Sequence, residues 1–152
     1  RYRLTAPPPA LERDEQMALM RWAQTSERAY PALKWLIAIP NGLAASSRGE
    51  AARMKAQGMK SGVPDLLLPY PCGGYAGLWI ELKRRSGGKL SAPQQDWLTY
   101  LGHVGYCAVC CRGWDEARER IEAYLAHDHK KPAEWAGSCA GDNRLIIKGY
   151  PS

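Results

Sequence analysis

The run Leu78-Trp79-Ile80-Glu81-Leu82-Lys83, preceded by Gly62-Val63-Pro64-Asp65-Leu66-Leu67-Leu68-Pro69, constrains this chain more than any other stretch. Successive strand side chains point to opposite faces. Leu78, Ile80 and Leu82 therefore share one face, and Glu81 and Lys83 lie beside each other on the other. The earlier segment reads as a short apolar strand entered through a Gly and a Pro. Pro71, Gly73, Gly74 and Gly77 make a turn-rich connection between the two. Antiparallel pairing across that connection brings Asp65 close to Glu81. Two carboxylates so near one another repel, and one has its pKa raised unless a cation sits between them.

A hard cation such as Mg²⁺ takes oxygen ligands, usually one or two carboxylates with waters and phosphate oxygens. Lys83 stands where it could orient an attacking water or offset charge building on a phosphate. An acid and a lysine two apart on a strand are ordinarily just its solvated face. Joined to a Pro-Asp strand start at hairpin distance, they point instead to metal-assisted phosphodiester hydrolysis.

Charge supports a polyanionic partner. The 152 residues carry a formal net charge of +6, with a pI near 9.2, and the position of the bases says more than their sum. Arg48, Arg53, Lys55 and Lys60 precede the first acid against only Glu50, and Arg84, Arg85 and Lys89 crowd the loop after the second. Bases on both sides of an acidic cluster suit a phosphate backbone, with the acids serving one phosphodiester and the bases positioning the rest. Taken alone, either cluster is as readily a solvated basic loop as a phosphate contact. Paired acids also cleave sugars, but the adjacent lysine and the basic flanks favour phosphate chemistry. There is no Gly-x-Ser-x-Gly elbow and no Walker loop.

A hydrophobic content of 45% with 24% charged residues fits one globular domain. No apolar run approaches the roughly 20 residues that span a bilayer, so no membrane partner is expected. The start, Arg1 to Ala10, is basic and Pro-rich without the apolar core of a secretory signal. Opening on Arg rather than Met, it reads as a trimmed or tagged end. Five cysteines raise zinc and disulfide questions. Cys107 and Cys110 have a C-x-x-C spacing, but in a strand residues three apart face opposite ways and are poorly placed to share a metal. An odd cysteine number fits a reducing cytoplasm better than a disulfide scaffold. Structural cysteines are the expectation.

The organisation follows in order. Residues 1–10 read as a flexible arm, 11–126 as the functional domain, and 127–152 as an extension whose Arg144-Leu-Ile-Ile-Lys148 could add an edge strand or a dimer contact. Within the domain, Leu11 to about Ala29 has helical periodicity, with Leu11, Leu19, Trp22 and Ala23 on one side. Leu33 to Ile39 reads as a strand ending at the turn signal Pro40-Asn41-Gly42. Arg48 to Gln57 is a short basic helix stopped by Gly58. Ser91 looks like an N-cap, with Pro93 in the first turn of a helix carrying Trp97, Leu98 and Leu101. Val104 to Cys111 is the next strand and Trp114 to Ala126 the last helix. This order predicts an α/β fold, a mixed central sheet flanked by helices, with a parallel crossover from Glu81 to Cys110.

Gly58-Met59-Lys60-Ser61-Gly62-Val63-Pro64-Asp65 together with Gly77-Leu78-Trp79-Ile80-Glu81-Leu82-Lys83 resembles the VRR-NUC branch of the PD-(D/E)XK nucleases. The stand-alone members, many of them phage-encoded, look most similar. Ile39-Pro40-Asn41-Gly42, Leu90-Ser91 with Gln94 and Trp97, and Gly105-Tyr106 extend the likeness over about Leu11 to Leu125. The resemblance implies a restriction-endonuclease-like core, Mg²⁺ or Mn²⁺ dependence and activity on DNA, in some stand-alone members on branched junctions and as homodimers. It also implies site residues: Asp65 and Glu81 as metal ligands with the backbone carbonyl of Leu82, and Gln94 near the metal. A carboxylate on the first helix is implied too. Glu12 and Gln16 match a Glu-x-x-x-Gln pattern there, and Glu15, near the apolar side, is the alternative. Asn41 is a turn residue first and a candidate DNA contact second.

The expectation is thus a Mg²⁺-dependent DNA endonuclease using Asp65, Glu81, Lys83, Glu12 and Gln94. The alternative is a DNA-binding or assembly module that kept the fold without catalysis.

Overall fold

The computed structural model describes residues 11–40 and 47–127. The expected N-terminal arm, Asn41 with most of its turn, and the extension beyond His127 lie outside the described residues.

Helix α1 (Glu12–Ser26) opens the domain and buries Glu15, Leu19 and Ala23, one residue per turn on a single stripe. Leu11, expected on that stripe, is 54% exposed. It precedes the first helical turn, so the helical period does not set its direction. The strand expected from Leu33 to Ile39 is largely something else. Pro31–Trp35 form a 3₁₀ helix, and only Ile37–Ala38 pair as strand β1. Pro31 presets φ for a helical first position. Buried Leu33 and Leu36 then recur every three residues, while Trp35 and Ile37 face solvent, which is the 3₁₀ period rather than the strand period.

Helix α2 (Arg48–Ala56) carries a Ser47 N-cap whose hydroxyl accepts from the Glu50 amide at 3.2 Å. Gly58, with φ 91°, follows its end. Strands β2 (Leu66–Leu68) and β3 (Leu78–Lys83) come next, then α3 (Ala92–His103), β4 (Cys107–Arg112) and α4 (Trp114–Ala126). Strand β2 is shorter than the Gly62–Pro69 run suggested. Strand β4 begins at Cys107 because Gly105, at φ 97°, is still turning the chain out of α3.

The four strands lie in the order β1-β2-β3-β4. The first two pairings are antiparallel and the β3–β4 pairing is parallel, so the sheet is mixed. Leu66 and Leu68, Leu78, Ile80 and Leu82, and Cys107, Val109 and Cys111 form one apolar layer with Leu19 and Ala23 of α1 and Ala117, Ile121 and Tyr124 of α4. Burying each of these large aliphatic side chains contributes about 1.5–3 kcal/mol. Helix α3 packs against β3 and β4. Its buried Leu98 and Leu101 stand apart from that layer, which leaves α3 on the opposite face, the face that carries Glu81 and Lys83.

Candidate active site

Strand register places the first acid. Leu66 pairs with Ile80, so Asp65, one residue earlier, falls opposite Glu81. The Asp65 carbonyl accepts from the Ile39 amide at 2.8 Å, and its carboxylate Oδ2 accepts from the Leu82 amide at 2.8 Å. The hairpin therefore continues through a side chain where the β2–β3 ladder stops. Gly62 shapes the approach. At φ 81°, a Cβ there would lie 2.5 Å from the Pro93 carbonyl carbon and 2.7 Å from the Gln94 amide. This loop thus touches the first turn of α3, and Trp97 ties the two by donating its indole N–H to the Ser61 carbonyl at 3.1 Å.

Helix α3 delivers Gln94 through its cap. Ser91 Oγ accepts from the Gln94 amide at 3.4 Å, and Gln94 Oε1 accepts from the Ser91 amide at 2.9 Å, a capping box. With its oxygen committed to an N–H donor, the side-chain amide turns its nitrogen outward. Gln94 Nε2 donates to Glu81 Oε1 at 2.5 Å. Lys83 Nζ binds the same oxygen at 2.6 Å and stands 3.7 Å from Glu12 Oε1. Asp65, Glu81, Lys83, Glu12 and Gln94 are brought together.

Glu81 is only 1% exposed and Lys83 5%. Glu81 Oε1 holds two donors, while Oε2 is buried with no hydrogen-bond partner. Burial pushes the Glu81 carboxyl up to about 7, opposed by the Lys83 hydrogen bond and reinforced by the charges of Asp65 and Glu12. Burial likewise raises Asp65, against the Leu82 amide and Lys83. Burial lowers Lys83, yet its hydrogen bond to Glu81 and the charges of Glu81, Glu12 and Asp65 outweigh that, so its pKa is raised and it stands as an ammonium. Cys110, opposite Glu81 in the parallel pair, is pushed up to about 11 by burial and then by the Glu81 charge, and so stays a neutral thiol.

Glu15 goes elsewhere. It is 2% exposed, accepts from Arg85 Nε at 3.0 Å through one oxygen, and from the Trp114 amide at 2.8 Å through the other. Gly113 offers α4 no side-chain cap, and the Glu15 carboxylate fills that role at the positive end of the helix. Arg85 also binds Asp115 at 2.8 Å. Arg85, itself half exposed, differs from the other expected DNA contacts in that it also clamps α1 to α4. Arg48, Arg53, Lys55, Lys60, Arg84 and Lys89 are exposed. Arg112, which the sequence did not single out, donates to the Gly88 carbonyl at 2.8 Å and so braces the loop over Lys83.

Glu12, Asp65 and Leu82 border an open cleft of about 590 Å³ whose remaining wall is the exposed side of α1. Among the described residues no group of three or more His, Cys, Asp or Glu side chains could by itself hold a metal ion, and Cys72, Cys107, Cys110 and Cys111 form no disulfide. No helix among them is long and apolar enough to cross a membrane.

Comparison with known proteins places the chain in a family. A family model for the VRR-NUC domain matches residues 10–115. The chain belongs to the VRR-NUC domain family. The match runs from just before α1 to the start of α4 and includes all five clustered residues. A solved structure described as a VRR_NUC domain protein superposes with a TM-score of 0.67 at 28% identity, covering 78% of this chain and 90% of that one. No curated protein matches the chain. The VRR-NUC assignment makes this a nuclease-fold domain that binds DNA. Two residues of this VRR-NUC domain escaped the sequence reading in their actual roles. Glu15 looked like a rival site acid because its partners lie 70 and 99 residues away, and Gly62 looked like a simple strand entry because the surface it meets belongs to α3.

Proposed function

We propose that the domain is a divalent-metal-dependent DNA endonuclease that hydrolyses phosphodiester bonds at Asp65, Glu81 and Lys83. The observation that carries this reading is Glu81 Oε2, a buried carboxylate oxygen without a hydrogen-bond partner beside a second acid. A buried unpaired anionic oxygen is costly, and a cation answers it. The donor set fits Mg²⁺ or Mn²⁺, which are held by one or two carboxylates plus waters and substrate phosphates, better than a closed zinc site. Asp65, Glu81 and the Leu82 carbonyl would hold the ion. When bound, it supplies Lewis acidity toward the phosphate and acidifies a water.

The chain's own groups do the rest. Gln94 and Lys83 fix one Glu81 oxygen and leave the other without a hydrogen-bond partner, where it would be available to a cation. Lys83, kept cationic by three carboxylates, offsets charge developing on the phosphate and orients the attacking water. Glu12, at the mouth of the cleft, would support a second metal or the hydration shell. The exposed bases of α2 and of the loop after β3 hold neighbouring phosphates. No covalent intermediate is needed.

Branched substrates and a homodimer belong to this proposal through the family likeness. Cleavage of linear, flapped and four-way DNA with Mg²⁺ or EDTA, read beside the sedimentation mass, tests the whole of it. Cutting that needs Mg²⁺ and favours branched DNA is the expected result. A protein that binds DNA equally with or without metal and cuts none would instead be a non-catalytic module.

A further inference from the structure

The cleft beside the acids has a wall that the proposed chemistry does not use. Two parallel rows of α1 line it, Arg13, Met17 and Arg21, and Gln16, Met20 and Gln24. Each row is spaced by four residues, so its members stack along one helix side. One row has a cation at each end and a thioether between; the other has an amide at each end and a thioether between. Arg13 and Arg21 lie about 12 Å apart along the axis at 1.5 Å per residue, a span that exceeds a single phosphate. Both are exposed, and Met17 is 49% exposed rather than spent on the core. Glu12, at the N-terminal end of the same wall, meets Lys83, so the wall is continuous with the reacting end.

We infer that this wall of α1 binds one unpaired DNA strand leading away from the site. The two arginines take phosphates, the exposed Met17 takes a base face, and the glutamines take sugars and base edges, while Met20 packs back against the core. A duplex offers a protein surface its phosphates, sugars and groove edges, but its base faces stay stacked inside. The exposed Met17 thioether, set between the two cations, finds a base face only on a strand that is not paired. This inference rests on the DNA-substrate reading above and supplies that reading with a polarity of surface: paired DNA over the basic loops, a single strand along α1.

The test measures equilibrium binding in EDTA, where cleavage plays no part, by anisotropy of labelled single-stranded and duplex oligonucleotides at several salt concentrations. The full chain is compared with Arg13→Ala/Arg21→Ala and with Met17→Ala. Alanine is the best helix former, and circular dichroism checks that the helix is kept. Losing two phosphate contacts should flatten the single-strand salt slope by about 1.4, at roughly 0.7 per phosphate. Met17→Ala should weaken single-strand binding severalfold and leave duplex binding unchanged. An unchanged salt slope in the double variant, an equal loss for duplex in Met17→Ala, or no single-strand binding by the unaltered protein overturns the inference. Parallel cleavage in Mg²⁺ separates the two claims. Cutting with an unaltered slope leaves the nuclease reading standing and this one fallen, and a flattened slope without cutting does the reverse.

Discussion

Glu81 carries two donors on one oxygen and none on the other, in a place with almost no solvent. In the unfolded chain its proton leaves near the ordinary 4.5, whereas in the folded protein burial holds it to about 7. Between those values the folded state binds more protons than the unfolded one. Its contribution to stability is therefore complete below 4.5 and is lost as pH rises through 7. Thermal unfolding in EDTA should show wild type losing stability relative to Glu81→Gln across that window. Mg²⁺ should recover part of the loss at pH 7, because the ion replaces the proton. A difference curve that stays flat from pH 4 to 8 would contradict the placement of this charge. Lys83 poses a related problem. Its burial means that Lys83→Ala would open a cavity as well as remove a charge, so Lys83→Met, with its long unbranched side chain, is the cleaner probe. That variant should lose about 10²–10³-fold in cleavage rate, the scale of a lost transition-state donor, while titration still shows Mn²⁺ binding. Near-normal cleavage by Lys83→Met would remove the lysine from the mechanism.

Among the elements, α1 has two acidic duties one turn apart. Glu12 meets Lys83 at the cleft, and Glu15 caps α4 and holds Arg85. Glu15→Ala should therefore cost about 2 kcal/mol in denaturant unfolding through lost charged hydrogen bonds and leave Mn²⁺ affinity nearly unchanged. Glu12→Ala should do the opposite, and exchanged phenotypes would mean that the two roles are reversed. The junction of the β2 approach with α3 makes a second prediction. Gly62→Ala puts a methyl group into the Pro93–Gln94 backbone at a positive φ, so the first turn of α3 must shift and carry Gln94 off Glu81. Weaker Mn²⁺ binding together with lower stability is expected, and an unaffected ion affinity would show that Gln94 does not position the acid. The sequence exposed such elements unevenly. The alternation in Leu78–Lys83 and the caps at Ser91 and Gly58 are local signals, and the corresponding strand and helix ends are where they point. Leu33–Ile39 misled because a run of apolar residues has no unambiguous period; only the burial of Leu33 and Leu36, three apart, reveals the 3₁₀ turn. Glu15 and Gly62 depend on partners distant in the chain, which no local pattern records.

For the whole molecule, the mixed sheet explains why the site sits where it does. An antiparallel hairpin sets Asp65 against Glu81, a parallel crossover brings α3 and Gln94 over the same strand, and α1 closes the end with Glu12. The fold class was readable from the order of elements, and the convergence of the two acids from strand direction and hairpin distance. The α1 wall was not readable, because Arg13, Met17 and Arg21 look like an ordinary solvated helix face until the cleft beneath them is seen. The central claim is that Glu81 and Asp65 hold a cation on which DNA cleavage depends. It is tested most directly by measuring Mn²⁺ binding and single-turnover DNA cleavage together on wild type and Glu81→Gln. Saturable binding and cation-dependent cutting in wild type, both lost in a Glu81→Gln protein that remains folded, is the predicted result; cutting in EDTA, or undiminished cutting by Glu81→Gln, would contradict it.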